Sequence, residues 1–313
     1  MKMFKKYGEP SAAARSFLNV IENNMGEWMK GWTASDLRAM KPFNPISNVH
    51  YRGKNSINLY LPQWEQSKYD PDFEIDLRYS TLRQLNLETG RVAEGSRSLS
   101  IKYFAPAFKD SKGNFLRAKT YEEALKLESH PVSAACIRYY RVYSYKDVIW
   151  NNPEKGLKYE PYRIRDYEEQ SLSSNKCAEK LLANLNVKIA VCSTIQPSYV
   201  PHENKIYLPY NREFVSESRK WEAVFHELVH WTKYNFPSCS RSFPYPQEEM
   251  TAEFGSLMLC QELGIAFEPG QEDGIYDYIR SWLRSYPEEL KLEIVDEALD
   301  AADKAFHKLI KFL

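Results

Sequence analysis

No run of apolar residues in this sequence approaches the ~18 that a membrane-crossing helix requires, and no apolar stretch follows the charged opening MKMFKKYGEP. Neither a transmembrane segment nor a secretory leader is expected, and the expected location is the cytoplasm. Cysteine is sparse: Cys136, Cys177, Cys192, Cys239 and Cys260 are odd in number, scattered, and include no CxxC pair. That spacing excludes a zinc ribbon and a CxxC redox disulfide, and it fits reduced thiols. Net charge is missing too, with 42 Lys and Arg against 42 Asp and Glu, so the chain as a whole is matched to neither nucleic acid nor a membrane surface. There is no internal repeat and no low-complexity tract, which excludes a solenoid.

At 313 residues the chain has room for two ordinary domains. Its charge is unevenly divided: residues 1–150 hold 23 basic and 16 acidic side chains, and residues 151–313 hold 19 and 26. A basic first half fits a nucleic-acid surface, or a domain that attracts its acidic neighbour. Phe17, Leu18 and Ile21, behind an N-cap at Ser11, predict a first helix over residues 11–25, with Trp28 and Trp32 beyond it. Alternating patterns predict strands over 99–104 and 135–143. Turn-forming residues over 151–165 mark a linker between a mixed α/β domain, 1–150, and a second domain, 166–313. The second half reads as a helix ending near Leu185, short strands over 187–192 and 205–208, and helices over 216–234, 247–263, 275–283 and 288–309. Gly264 stands where a helix C-cap prefers glycine, and Pro287 precedes the last helix. The fold class is α+β in two domains, the second mainly helical with a small sheet.

The helix over 216–234 contains WEAVFHELVHWT, in which His226 and His230 are four apart and share one face. Two imidazoles can therefore meet one ion. Glu227 lies about 100° round the helix from His226, a position for a carboxylate that handles a water beside the metal. Zinc lowers the pKa of a coordinated water from about 15.7 to near 7, and a neighbouring carboxylate can take its proton as it attacks a carbonyl. A catalytic zinc needs a third protein ligand. In the next helix Glu249 and Glu253 share a face: Glu249 is favoured as ligand with Glu253 orienting a histidine, and the reverse is the alternative. Glu248 is expected to face solvent. Strand 205–208 either offers an edge to an extended peptide or completes a small sheet. Tyr234 and Tyr245 are both candidates to donate to an oxyanion.

Single-stranded nucleic acid is held by cations that follow the phosphates and aromatic rings on which bases stack. Three groups in the first half offer both: Tyr51, Arg52, Lys54 and Asn55 in one loop, Lys102 and Tyr103 on one strand, and Arg138, Tyr139, Tyr140 and Arg141 on another. Alternating aromatics on strands also serve as core, and composition alone does not separate the two roles.

Several stretches match a known pattern: FHELVHWT at 225–232, EEMTAEFGSLMLCQELGI at 248–265, YIRSWL at 278–283 and PHENKIYLP at 201–209. In the first half they are HYRGKNSINLY at 50–60, residues 90–103, and RYYRVYSYKDV at 138–148. Together they resemble the ArdC-type antirestriction proteins of plasmids, phages and other mobile elements, over most of the chain. The resemblance implies an N-terminal domain that binds single-stranded DNA, a C-terminal zincin-like metallopeptidase domain, and protection of incoming DNA from restriction in a host bacterial cell. Lys233 stands where the family usually has glycine, the loop 234–246 is longer, and Ala93, Glu94, Gly95 and Ser96 replace a basic KGE-like turn.

The combined expectation is a protein with single-stranded DNA as partner and a protein as substrate. His226, His230 and Glu249 or Glu253 would hold zinc, with manganese as the alternative ion, and Glu227 would act as general base. Two alternatives stand beside it: an intracellular zinc metalloprotease without a DNA role, and a DNA-occluding protein whose metal site is not catalytic. No membrane partner is expected, and oligomeric state is left open.

Overall fold

The computed structural model describes residues 11–23, 41–70, 72–152, 154, 171–193, 196–267 and 275–313. Trp28, Trp32 and most of the expected 151–165 linker lie outside them. In chain order the elements begin with α1 (Ala12–Asn23), β1 (Phe43–Asn44), β2 (Val49–His50) and α2 (Lys54–Tyr69). They continue with β3 (Tyr79–Thr81), α3 (Leu82–Leu87), β4 (Gly90–Val92), β5 (Leu99–Lys109), α4 (Tyr121–Leu125), β6 (Val132–Ser144) and β7 (Val148–Trp150). The last part holds α5 (Ser171–Leu185), β8 (Lys188–Val191), β9 (Ser198–Val200), β10 (Lys205–Leu208), α6 (Glu217–Asn235), α7 (Tyr245–Leu263), α8 (Ile275–Leu283) and α9 (Glu288–Leu309). No described helix is long and apolar enough to cross a membrane.

The chain forms two compact units, and they are cut differently from the sequence boundary at 151–165. One unit joins residues 1–78 to 157–313; the other is 79–156. The reason is hydrophobic. The apolar faces of α1 and α2 are buried in the same core as α6, α7 and α9, with Phe17, Ile21, Ile57 and Leu61 beside Phe225, Phe254, Leu299 and Phe306. Phe17 meets Phe254 edge-on with ring centroids 4.4 Å apart.

Polar ties reinforce this join. Asp303 accepts a hydrogen bond from the backbone N–H of Lys54 at 2.8 Å, so a side chain from α9 caps the start of α2. Gly53 precedes that cap at φ 56°, and a Cβ there would fall 2.4 Å from Asp303 Oδ1. Only glycine suits both the dihedral and the space. Lys54 Nζ also pairs with Asp296 at 2.9 Å and Asp300 at 3.1 Å.

In the same unit a three-stranded sheet has the order β8-β10-β9, with β10 parallel to β8 and antiparallel to β9. The strand over 205–208 is therefore central, with Ile206 and Leu208 buried, and it is not the peptide-binding edge considered from sequence. The edge on that side is β9.

Unit 79–156 is built on a long antiparallel ribbon, β5 with β6, in register from Leu99↔Val142 to Lys109↔Val132. β3 adds to the β6 end at Tyr79↔Ser144, and β4 pairs with β7. Thr81 and Gln84 form a capping box that starts α3.

Candidate metal centre

Two crossing helices carry the site. Ser216 opens α6, its Oγ accepting from the N–H of Arg219 at 2.9 Å. Pro244 leads into α7, and Gly264 closes it at φ 66°. The helices approach closely at Gly255, where an added Cβ would lie 2.5 Å from Cγ2 of Val229. That approach lets short carboxylates from α7 reach imidazoles on α6.

His226 Nε2 and His230 Nε2 face each other at 3.2 Å. Glu249 joins them, with Oε2 3.2 Å from His226 Nε2 and Oε1 3.6 Å from His230 Nε2. One donor atom from each of the three residues lies within 4.8 Å of the others. On the outer sides, Glu253 Oε2 is 3.3 Å from His226 Nδ1, and Glu248 Oε1 is 3.1 Å from His230 Nδ1.

A carboxylate against each Nδ1 places the hydrogen there in the neutral ring, so both Nε2 lone pairs turn toward each other and toward Glu249. Three acceptors converging on one point repel unless a cation stands among them. Two nitrogens and one carboxylate oxygen, with the remaining side open to a cleft, are the donors a catalytic divalent ion takes. Without the ion a proton is the substitute. Burial opposes charge on both rings, but Glu249 and Glu253 outweigh it and raise His226 well above the usual imidazole range, while Glu248 and Glu249 raise His230. Burial likewise opposes charge on Glu248, yet His230 and Arg241 lower its pKa to about 2. Glu249 is held lower still by the two histidines.

Glu222, His226 and Glu253 form a second close set. Glu222 there is engaged by the Arg219 guanidinium, so the first set is the stronger candidate.

Glu227 does not join the three donors. Its Oε2 accepts from the backbone N–H of Tyr199 at 2.7 Å, which fixes the carboxylate between the metal-facing side of α6 and the edge strand β9. Tyr199 is held in turn: its hydroxyl donates to Asn204 at 3.0 Å, and Asn235 at the end of α6 donates to Asn204 at 2.9 Å. A cavity of about 670 Å³ opens over these groups, and Tyr199, Arg219, Lys233, Tyr234, Phe243 and Tyr245 line it along with the histidines and carboxylates. Tyr234 and Tyr245 both stand at this cavity, and both are exposed.

Glu248 corrects the sequence expectation: it is buried, not solvent-facing. Arg241 covers it with a two-pronged contact, Nε to Oε2 at 2.8 Å and an Nη to Oε1 at 2.7 Å. Arg241 went unnoticed in the sequence because it lies in the irregular stretch before α7, where no periodicity marks a residue as inward.

The residues expected to touch DNA fall in both compact units. Tyr51 is buried, its hydroxyl near Asn44, and has little ring face for a base to stack on. Lys54 Nζ is paired with Asp296 and Asp300 in the structure. Arg52 is exposed and pairs with Glu262 at 3.4 Å, and Asn55 is half-buried in the first turn of α2.

The others lie on the β5–β6 ribbon, whose register sorts them by face. Tyr103 opposite Arg138, and Ile101 opposite Tyr140, put Tyr103, Arg138 and Tyr140 on one side. Lys102 opposite Tyr139, and Ser100 opposite Arg141, put Lys102, Tyr139 and Arg141 on the other. Tyr103 is 50% and Tyr139 66% exposed, so both faces carry accessible rings and cations.

Residues 176–298, which hold the HExxH helix, the crossing helix with its glutamates and the small sheet, match the family model of a zincin-like metallopeptidase. Residues 12–143 match the N-terminal domain of the anti-restriction factor ArdC. The structure superposes on a Mn(II)-bound antirestriction ArdC protein of the R388 plasmid with a TM-score of 0.58, 20% identity and 96% of each chain covered. The metal-free form of that protein gives 0.55, at 19% identity and full coverage of both. The chain thus carries, in order, an ArdC-type N-terminal domain and a zincin-like metallopeptidase domain, on the fold of the antirestriction ArdC structures. Two curated relatives are DNA primases TraC of Escherichia coli, 27% and 25% identical over 92% of this chain. The aligned region is only 26% and 19% of their length, so the chain matches about a quarter or less of each.

Proposed function

We propose that the chain is a DNA-binding antirestriction protein of a mobile element or phage, and that it also hydrolyses peptide bonds at a divalent metal. The hydrolytic half rests on one observation: two Nε2 atoms and the Glu249 carboxylate converge while both Nδ1 atoms are tied to Glu253 and Glu248. His226, His230 and Glu249 would hold zinc or manganese; Glu253 and Glu248 orient the rings. The ion, when bound, supplies Lewis acidity toward a peptide carbonyl and an attacking water.

Glu227 takes the proton of that water and returns it to the leaving amine. Its hydrogen bond from Tyr199 holds it for the task. Among the described residues β9 is the outer strand beside Glu227; its Tyr199 N–H is already given to Glu227, so an extended peptide would pair with the remaining backbone groups of that edge. Glu227→Gln keeps the size and one acceptor oxygen for the Tyr199 N–H, replaces the other oxygen by an NH2 donor, and removes the base. With metal content unchanged, cleavage of labelled casein should fall by about 10²–10⁴. Equal cleavage by both proteins would refute the hydrolytic role.

The DNA-binding half rests on the ribbon of unit 79–156, which carries rings and cations on both faces within a segment holding 13 Lys and Arg against 8 Asp and Glu. The names of its relatives, a DNA primase and an antirestriction protein, point the same way. Gel shifts of the intact chain across a salt series should show single strands preferred over duplex, with affinity falling steeply as salt rises. Tyr103→Ala with Tyr140→Ala should weaken binding, at about 1–3 kcal/mol per lost stack. A chain that ignores single strands at low salt would leave a metallopeptidase whose substrates are proteins alone.

A further inference from the structure

Arg241 is almost wholly enclosed, with 4% of its side chain exposed, and its guanidinium makes four contacts. Two go to the two oxygens of Glu248, at 2.8 and 2.7 Å. The other two go to backbone carbonyls, Cys239 at 3.1 Å and Val229 at 3.2 Å. Val229 immediately precedes His230 on α6, and Glu248 Oε1 is the oxygen that faces His230 Nδ1. A single buried cation thus grips the histidine's partner, the backbone beside the histidine, and the loop that joins the two helices.

We propose that Arg241 is a positioning residue for the metal centre. It fixes Glu248, and Glu248 fixes the tautomer and ring plane of His230 so that Nε2 points at the ion. This rests on the metal reading given above. Geometry supports the specific choice of arginine. A carboxylate free to swing about its own side-chain torsions could meet Nδ1 in many orientations, whereas a planar two-pronged grip holds both oxygens in one plane. Lysine offers a point charge and cannot hold that plane. Lys233, 3.7 Å from Glu248 Oε2, adds charge but no such constraint. Because Arg241 also holds Cys239, the loop after α6 and the metal are coupled: an ordered loop favours the ion, and the ion favours an ordered loop.

The test uses the full chain and Co²⁺ as probe, read by its visible ligand-field spectrum and by competition with a chelator. Arg241→Met should weaken Co²⁺ binding 10–100-fold, the range for loss of a group that supports a metal ligand, and should alter the spectrum. Glu248→Gln should weaken it comparably, and the double variant should lose little more than either alone, since both act through His230. Arg241→Lys should recover only part of the affinity. Circular dichroism of the metal-free proteins separates this from failure to fold, and Glu248→Gln, nearly isosteric, is the variant to rely on if Arg241→Met does not fold. Wild-type affinity and spectrum in Arg241→Met or in Glu248→Gln would overturn the proposal. So would losses that simply add in the double variant. A wild-type chain that does not bind Co²⁺ would overturn both this inference and the metal reading beneath it; binding that persists in the variants would overturn this one alone.

Discussion

His226 and His230 are held by carboxylates, and that sets how protons and metal compete. Their pKa values are raised because Glu249, Glu253 and Glu248 outweigh burial, so in the metal-free protein the rings are protonated at a higher pH than a free imidazole near 6.5. Metal binding must expel those protons. Affinity for Co²⁺ should therefore begin to fall, as pH is lowered, while still above pH 6.5; titration by chelator competition between pH 8 and 6 measures it. Lys54 gives a second case with its own sign. Burial opposes its charge, but Asp300 and Asp296 outweigh it and raise its pKa above 10.5. Its contribution is present below the unfolded value near 10.5 and lost as pH climbs through the raised folded one. Lys54→Met should destabilise the fold by on the order of 2 kcal/mol, a buried-pair loss discounted for partly exposed partners, with no change in the gap between pH 6 and 9. Urea midpoints of the two proteins at both ends of that range decide it. At this scale the sequence was legible where chemistry is local: an i, i+4 pair on a helix needs no tertiary information. The burial of Glu248, against the solvent-facing expectation, was not legible because Arg241 reaches it from outside its helix, and the burial of Tyr51 and the ion pairs of Lys54 are likewise set by the core and by α9.

Among elements, helices were easier to read than sheets. The helices over 216–234, 247–263, 275–283 and 288–309 were visible from apolar spacing, Gly264 and Pro287, and they stand within two residues of those bounds. Strand order leaves no such mark. Nothing within KIYL says that β10 is central, because its neighbours β8 and β9 are supplied by separate stretches of chain. The crossing of α6 and α7 is equally non-local, and Gly255 is its one visible trace. Gly255→Ala would place a methyl group 2.5 Å from Val229 Cγ2, in a core with no slack, and the helices must separate to admit it. The expected cost is about 1–3 kcal/mol. Because the separation falls between the histidines and Glu249, Co²⁺ affinity should drop as well. Val229→Ala in the same chain removes the obstructing methyls and should restore affinity, though it leaves its own loss of burial.

The molecule as a whole is divided by family along the sequence and by packing across it. The ArdC match ends at residue 143 and the metallopeptidase match begins at 176, yet residues 12–69 supply two helices to the core that holds the metal helices. Sequence reading placed a boundary where periodicity lapsed, and no local signal could report that α1 and α2 pack across it. The consequence is physical. Phe17, Ile21, Ile57 and Leu61 are each buried to within a few per cent, and each such side chain contributes roughly 1.5–3 kcal/mol. Together they rival the roughly 5–15 kcal/mol by which a whole domain is stable. A fragment of residues 1–150 should therefore carry α1 and α2 without their partners, and a fragment of 166–313 should expose the groove they fill. Fragment 166–313 should melt without a cooperative transition of its own, while adding fragment 1–150 should restore one to it. Calorimetry of the fragments, apart and together, measures this. A cooperative transition in 166–313 alone, with Co²⁺ affinity equal to that of the intact chain, would show that the first two helices are attached to the metal unit without being needed by it.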